Sequence, residues 1–410
     1  MFDVKKEAAA LSAELETIYK DLHRHPEIGY DEHRTSGIIA DYLRACGMEV
    51  QTGIAITGVV GTLDSGRPGK TLLIRADMDC LQVEEMTACD YRSENPGKMH
   101  ACGHDAHVTM LLGAAKLLSA HRDAFRGKIK FLFEPSEESI PASMKETVRA
   151  AGYDGEGGAG FMIQQGVLEG VDMALALHVQ PAVPAGKIQI ARHEATASSD
   201  VYDIMLTGKG GHGAMPETGV DPINIAAHIY LSLQELIARE LAAKTPAVVT
   251  VGRFCGGEAP NIIPGACVLE GTIRTFDREV TARLMTRITE LAEGIAKAFR
   301  GSARTEELAS APPLKNDPAL VNRMADWAEE LLGKQSVYRL DEGGMGSEDF
   351  ASYTYEVPSA YLLLGAGTPQ EDPRYGKPMH NEAVVFNEDV LPTGAALHTL
   401  FALRMLAQET

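Results

Sequence analysis

The 410-residue chain has no run of about 18 uninterrupted apolar residues, so no membrane-spanning helix is expected. It is short of positive charge. Lys and Arg number 38 against 57 Asp and Glu, giving a formal net charge of −19. Such a surface repels phosphate backbones and anionic lipid, which argues against nucleic acid and membrane surfaces as partners. The six cysteines contain no C-x-x-C pair. Scattered through a chain this long, they do not read as a disulfide framework. The N-terminal stretch lacks the apolar segment of a signal peptide and reads as an amphipathic helix. A reducing, cytoplasmic setting is therefore expected. The Gly-rich loop Gly208–Pro222 lacks both the Lys-Ser/Thr pair and the G-x-G-x-x-G spacing of phosphate-binding loops, which argues against a nucleotide.

What is present is an ordinary globular mixture, 45% apolar and 23% charged, long enough for two or three domains. Helical periodicity covers about Lys5–His23 and Glu32–Cys46. Apolar runs at Thr71–Asp79, Lys128–Pro135 and Val171–Val179 read as strands, with a helix over His107–Ala120 between the first two. Near-continuous apolar strands alternating with helices signal an α/β sheet covered on both faces. After Pro181 the character changes. Strands near Val201, Ala247 and Ala266 alternate apolar with polar, and two long helices, about Asp221–Glu240 and Arg278–Phe299, accompany them. This suits a small α+β sandwich with one helix-covered face. A helix near Pro318–Leu332, a strand Ser359–Gly367 and a C-terminal helix from Leu391 return to the α/β pattern. The expected organisation is a discontinuous α/β domain, residues 1–187 and 304–410, with a second domain, 188–303, inserted into it.

Chemistry concentrates where strands end, the place at which α/β sheets gather ligands. MHACGHDAH (Met99–His107) holds a Cys, three His and an Asp around one Gly. In an extended loop, Cys102 and His104 could face one point, and a thiolate with an imidazole suits zinc or another borderline divalent ion. FEPSEES carries the adjacent pair Glu137 and Glu138. Adjacent side chains diverge, so one carboxylate could bind metal while the other stays free as a base. His178 closes an apolar strand, and His380 lies in a late loop. Each residue alone also has an ordinary structural reading. If the strands are parallel neighbours, their end loops share one edge and supply mixed S/N/O ligands. Asp77 and Asp79, in RADMD, could orient metal-bound histidines from behind or merely solvate a strand end.

With these residues laid out, the chain resembles the M20 family of metallopeptidases and aminoacylases, in the amidohydrolase branch. The resemblance spans almost the whole sequence, in order: DLHRHPEIGYDE (Asp21–Glu32), RADMD, HACGHDAH, Glu137–Glu138, LHV (Leu177–Val179), GGHGAMP (Gly210–Pro216), APNIIP (Ala259–Pro264), GTIRTF (Gly271–Phe276) and MGSEDF (Met345–Phe350). It implies a zinc-peptidase-like α/β catalytic domain and an inserted α+β dimerisation or lid domain. It implies two divalent ions per subunit (Mn²⁺, Zn²⁺, Co²⁺ or Ni²⁺), with Cys102 bridging and His104, Glu138, His178 and His380 completing the set. Glu137 would then be the general base, with Asp77, Asp79 and His107 behind the ligands. His212 would come from the partner of a homodimer, or of a larger assembly, to stabilise the oxyanion. Asn261 and Arg274 would hold the substrate carboxylate. The implied reaction is hydrolysis of N-acyl amino acids or related small amides. Dipeptidase, carboxypeptidase and aminobenzoyl-glutamate hydrolase activities are the alternatives within the family.

The sequence departs from the family pattern in three places. Ser139–Gly155 is an apparent insertion beside the expected base, which bears on substrate choice. Cys80 and Gln82 stand where Ala and Pro are common, and His380 is followed by Asn381 and Glu382. Two readings of other classes compete. A metal-free mechanism would make Cys102 a nucleophile activated by His104. A non-catalytic, metal-binding dimer would retain the fold alone.

Overall fold

The computed structural model describes residues 2–407, in two compact units. The first comprises the described residues through Ala195, Lys315–Gly343 and those from Glu348 onward; the second is Thr196–Leu314 with Gly344–Ser347. The main crossings therefore fall at 195/196 and 314/315, not at 187/188 and 303/304, and the chain returns briefly to the second unit at Gly344–Ser347. The reason is pairing: Ile188–Ala191 joins the sheet of the first unit, and Ser302–Ala311 runs as one strand in the second.

The first unit is built on an eight-stranded sheet. Its spatial order is Glu49–Ile54, Gly58–Asp64, Lys128–Glu134, Thr71–Asp77, Met173–Gln180, Ser359–Gly365, Ile188–Ala191 and Val337–Leu340. The four central strands run parallel to one another. Thr71–Asp77 is buried at every residue but its first, so both of its faces are covered, as its unbroken apolar run requires. The parallel register sets Asp77 beside Glu134 and Leu363 beside His178. The carboxyl ends of these strands thus lie along one edge.

The helix His104–Ala120 is buried at every residue from His104 to Ala115. A helix apolar on all sides belongs inside a core, and this one packs against Leu391–Met405, Ser12–Arg24 and the sheet. It begins three residues earlier than its apolar spacing suggests. Gly103, at φ 89°, turns the chain into it. A Cβ there would lie 2.4 Å from Val179 Cγ2, so only glycine fits. His104 consequently stands on the first helical turn, not in an extended loop. The expected N-terminal helix is two, Val4–Ala10 and Ser12–Arg24, broken at Leu11.

The second unit is a four-stranded antiparallel sheet ordered Ala247–Gly256, Ala266–Thr275, Ser199–Thr207 and Ser302–Ala311. Ser199–Thr207 alternates strictly between buried and half-buried residues, except for an exposed last residue. That is the period of a sheet with one covered face. The covering helices are Pro222–Glu235 and Arg278–Ala298, and their Ile225, Ile229, Leu284 and Ile288 pack on Tyr202, Ile204 and Leu269. No helix among the described residues is long and apolar enough to cross a membrane.

Candidate metal centre and active site

The carboxyl edge of the large sheet brings Cys102, His104, Glu137, Glu138, His178 and His380 together. Donor atoms of Cys102, Glu138 and His380 lie within 4.8 Å of one another, as do those of His104, Glu137 and Glu138. Glu138 is common to both groups. Cys102 Sγ is 3.5 Å from His178 Nε2, and His380 Nε2 comes within 3.1 Å of Glu138 Oε1 without hydrogen-bond alignment.

The outward hydrogen bonds of the histidines decide which nitrogen faces inward. His178 Nδ1 donates to the Val179 carbonyl at 2.6 Å, and its neutral ring turns an unprotonated Nε2 toward Cys102. Burial, then His107, holds its pKa well below the imidazole range. His104 Nδ1 donates to the carbonyl and carboxylate oxygens of Asp79, at 2.9 and 3.0 Å. Its Nε2 is buried and finds no hydrogen-bond partner among the described residues. A buried orphan nitrogen is costly, and a metal ion is what this one fits. Burial opposes a charge on His104, but Asp77 and Asp79 outweigh it and raise its pKa well above the usual range.

His107 is occupied on both sides. The Val179 N–H donates to its Nε2 at 2.9 Å, so its Nδ1–H must donate to Asp77, at 2.5 Å. It therefore packs behind His178, edge to face with ring centroids 4.3 Å apart. Asp79 joins two groups: Oδ1 receives His104, and Oδ2 receives the Glu138 backbone N–H at 3.2 Å.

The two glutamates differ in setting. Burial, then Glu348 and Glu138, pushes Glu137 well above the carboxylate range. Burial would raise Glu138 too, but His380 and His104 outweigh it and bring it below. Burial, then Glu138, also keeps the Cys102 thiol protonated, the opposite of what a nucleophilic thiolate needs. A thiol, three available imidazole nitrogens and a carboxylate form a mixed donor set that fits borderline divalent ions.

Several further participants lie inside the motifs quoted above but draw no role from sequence alone. Arg75 is buried among four carboxylates: Asp77 at 2.6 Å, Glu134 and Asp349 at 2.7 Å, and Glu348 at 3.0 Å. The Asp349 backbone N–H donates to Glu137 Oε1 at 3.3 Å. His23 bonds Asp105 at 2.6 Å and so braces the first turn of the His104 helix.

His212, Asn261 and Arg274 lie in the second unit. His212 pairs with Ile262 in a two-stranded ribbon, next to Asn261, and both are exposed. The Ala214 N–H donates to His212 Nδ1 at 3.0 Å, leaving Nε2 as the protonated nitrogen of the neutral ring. Arg274 stands apart, half-buried within the sheet, with Nη1 3.5 Å from the Ser198 carbonyl.

The sequence matches peptidase family M20/M25/M40 over residues 73–404. The chain belongs to this family. It is 35% identical over 395 residues to an Arabidopsis thaliana IAA-amino acid hydrolase, covering 95% of this M20 chain and 85% of that protein. It is 34% identical over 398 residues to the hippurate hydrolase of Campylobacter jejuni, covering 97% of each. A solved Bacillus subtilis structure, described as a dinuclear metal-binding peptidase of the M20 family, superposes with a TM-score of 0.81 at 29% identity. It covers 97% of this chain and 99% of that one. This M20 protein is a hydrolase, and its large sheet flanked by helices is the M20 fold.

Proposed function

We propose that this M20 hydrolase is a metal-dependent amidohydrolase that releases amino acids from N-acyl conjugates. The observation that carries the reading is the buried, unpartnered His104 Nε2 beside the donors of Cys102, Glu138, His178 and His380, with Glu137 3.9 Å away. These five donors would hold two divalent ions, Mn²⁺, Zn²⁺, Co²⁺ or Ni²⁺. Bound there, the ions would lower the pKa of water toward neutrality and polarise the amide carbonyl.

The chain's residues do the rest. Glu137, kept basic by its setting, takes the proton of the attacking water and passes it to the leaving nitrogen. The Asp349 N–H holds the Glu137 carboxylate in place. His212, with its Nε2–H free, suits an oxyanion donor supplied from the partner subunit of a homodimer. Asn261 and Arg274 are the proposed contacts for the substrate carboxylate; a guanidinium fork matches that group. Ser139–Gly155, with its short helix Lys145–Ala150, directly follows the glutamate pair and is the proposed source of acyl-group selectivity. All six cysteines are free, which suits a reducing compartment such as the cytoplasm.

The test is amine release from a panel of N-acyl amino acids and dipeptides by metal-stripped protein, with and without Mn²⁺. Release that depends on the ion is expected. Glu137→Ala should keep its metal and lose roughly 10²–10⁴-fold in kcat. Full activity without metal, or a near-native rate for Glu137→Ala, would overturn the assignment.

A further inference from the structure

Glu137 and Glu138 project from a turn whose first residue, Ser136, is fully buried at φ 55°. A non-glycine residue in the left-handed region is held there by its surroundings. Ser136 Oγ donates to the Ser139 carbonyl at 2.8 Å, closing the turn around the glutamate pair. The Ser136 backbone N–H donates at 2.9 Å to Glu32 Oε1, 104 residues away in sequence. Glu32 is itself fully buried, and its Oε2 bonds the Thr57 hydroxyl at 2.6 Å.

Thr57 follows two further left-handed residues, Ala55 and Ile56, in the tight hairpin between Glu49–Ile54 and Gly58–Asp64. One buried carboxyl group thus ties this hairpin turn to the glutamate turn. From the other side the backbone of Gly29 presses on Ser136, where a Cβ would lie 2.3 Å from Ser136 Oγ. Glu32 is spared the usual duty of a residue at a helix start. It precedes the helix His33–Ala45, yet the first-turn amides of Arg34 and Thr35 are capped by Glu27, at 3.0 and 2.8 Å.

We propose that Glu32 is a positioning residue for the Glu137–Glu138 pair, its carboxyl group fixing the strained Ser136 turn from which both glutamates project. The proposal rests on the roles assigned above to those glutamates. Glu32 touches neither reactant nor ligand; it acts through the backbone amide of Ser136.

Three variants separate the possibilities. Glu32→Gln keeps an oxygen acceptor at the same reach. Glu32→Asp keeps the carboxyl group but shortens the reach by one methylene. Glu32→Ala removes the group. Each is scored for Co²⁺ affinity and the Co²⁺ visible spectrum, and for kcat and KM on the best panel substrate. Displacing a catalytic base by about 1 Å costs up to about 10²-fold, and removing the group that orients a metal ligand costs roughly 10–100-fold in metal affinity.

Glu32→Ala and Glu32→Asp should therefore lose at least about tenfold in kcat, with KM within about twofold, and bind Co²⁺ about tenfold more weakly. Glu32→Gln should restore both. If Glu32→Ala does not fold, the Asp and Gln pair decides. Native kcat and Co²⁺ affinity in a folded Asp or Ala variant would overturn the proposal, as would equal damage in Glu32→Gln. If instead wild-type protein turns over no panel member, the reaction class has failed, and the Co²⁺ comparison still tests the hold on Glu138.

Discussion

At the scale of single residues, not every proposed donor is in the protonation state a metal needs until one binds. Burial keeps the Cys102 thiol protonated, and the carboxylates beside His104 favour its imidazolium. Both must lose a proton to ligate. Metal uptake at neutral pH should therefore release protons, and affinity should rise with pH. Calorimetry of Mn²⁺ binding in buffers of different ionisation enthalpy reads this directly; a binding heat independent of the buffer would contradict the ligand assignment. The ligand candidates were legible in sequence because each ends an apolar strand or lies in the polar stretch that follows one. Asp77 and Asp79, which orient His107 and His104, were legible with them in RADMD; the longer-range contacts of Arg75 and Glu32 were not. Arg75 stood in view within RADMD, but its four carboxylate partners come from positions up to 274 residues away. Glu32 reaches Ser136 across 104 residues. No local pattern reports such a contact, because what selects it is the three-dimensional turn, not the neighbouring chain.

At the scale of elements, the placement of His104 depends on where one helix begins. Apolar spacing dates that helix from His107, since His104 and Asp105 look like loop residues. The left-handed Gly103 starts it at His104, so His104 and His107 fall three apart on one face and approach Asp77 together. Glycine there was the readable signal, and spacing alone outweighed it. Gly103→Ala should be damaging on two counts. A left-handed alanine costs roughly 1–2 kcal/mol, and its Cβ would overlap the Val179 side chain. Val179 also supplies the backbone groups that fix His107 and His178. The variant should therefore lose metal affinity out of proportion to its loss of thermal stability. Equal metal affinity in wild type and Gly103→Ala, measured by competition with a chelating dye, would show that the helix start does not set the ligands.

At the scale of the whole molecule, the residues proposed for one reaction are divided between two compact units. The metal donors and Glu137 belong to the unit of the large sheet; His212 belongs to the other. In a homodimer with a shared site, each active centre would need Glu137 from one chain and His212 from its partner. That arrangement has an arithmetic consequence. Glu137→Ala and His212→Ala homodimers should each be inactive. A mixed dimer would contain one centre lacking both residues and one centre lacking neither. Random subunit exchange makes half the dimers mixed, so equal amounts of the two variants should recover about a quarter of wild-type activity. Recovery should follow the time course of exchange, and a cross-link installed before mixing should prevent it. A mixture that stays inactive after demonstrated exchange would place His212 in the same chain as its Glu137, whereas an active His212→Ala homodimer would put it outside the reaction.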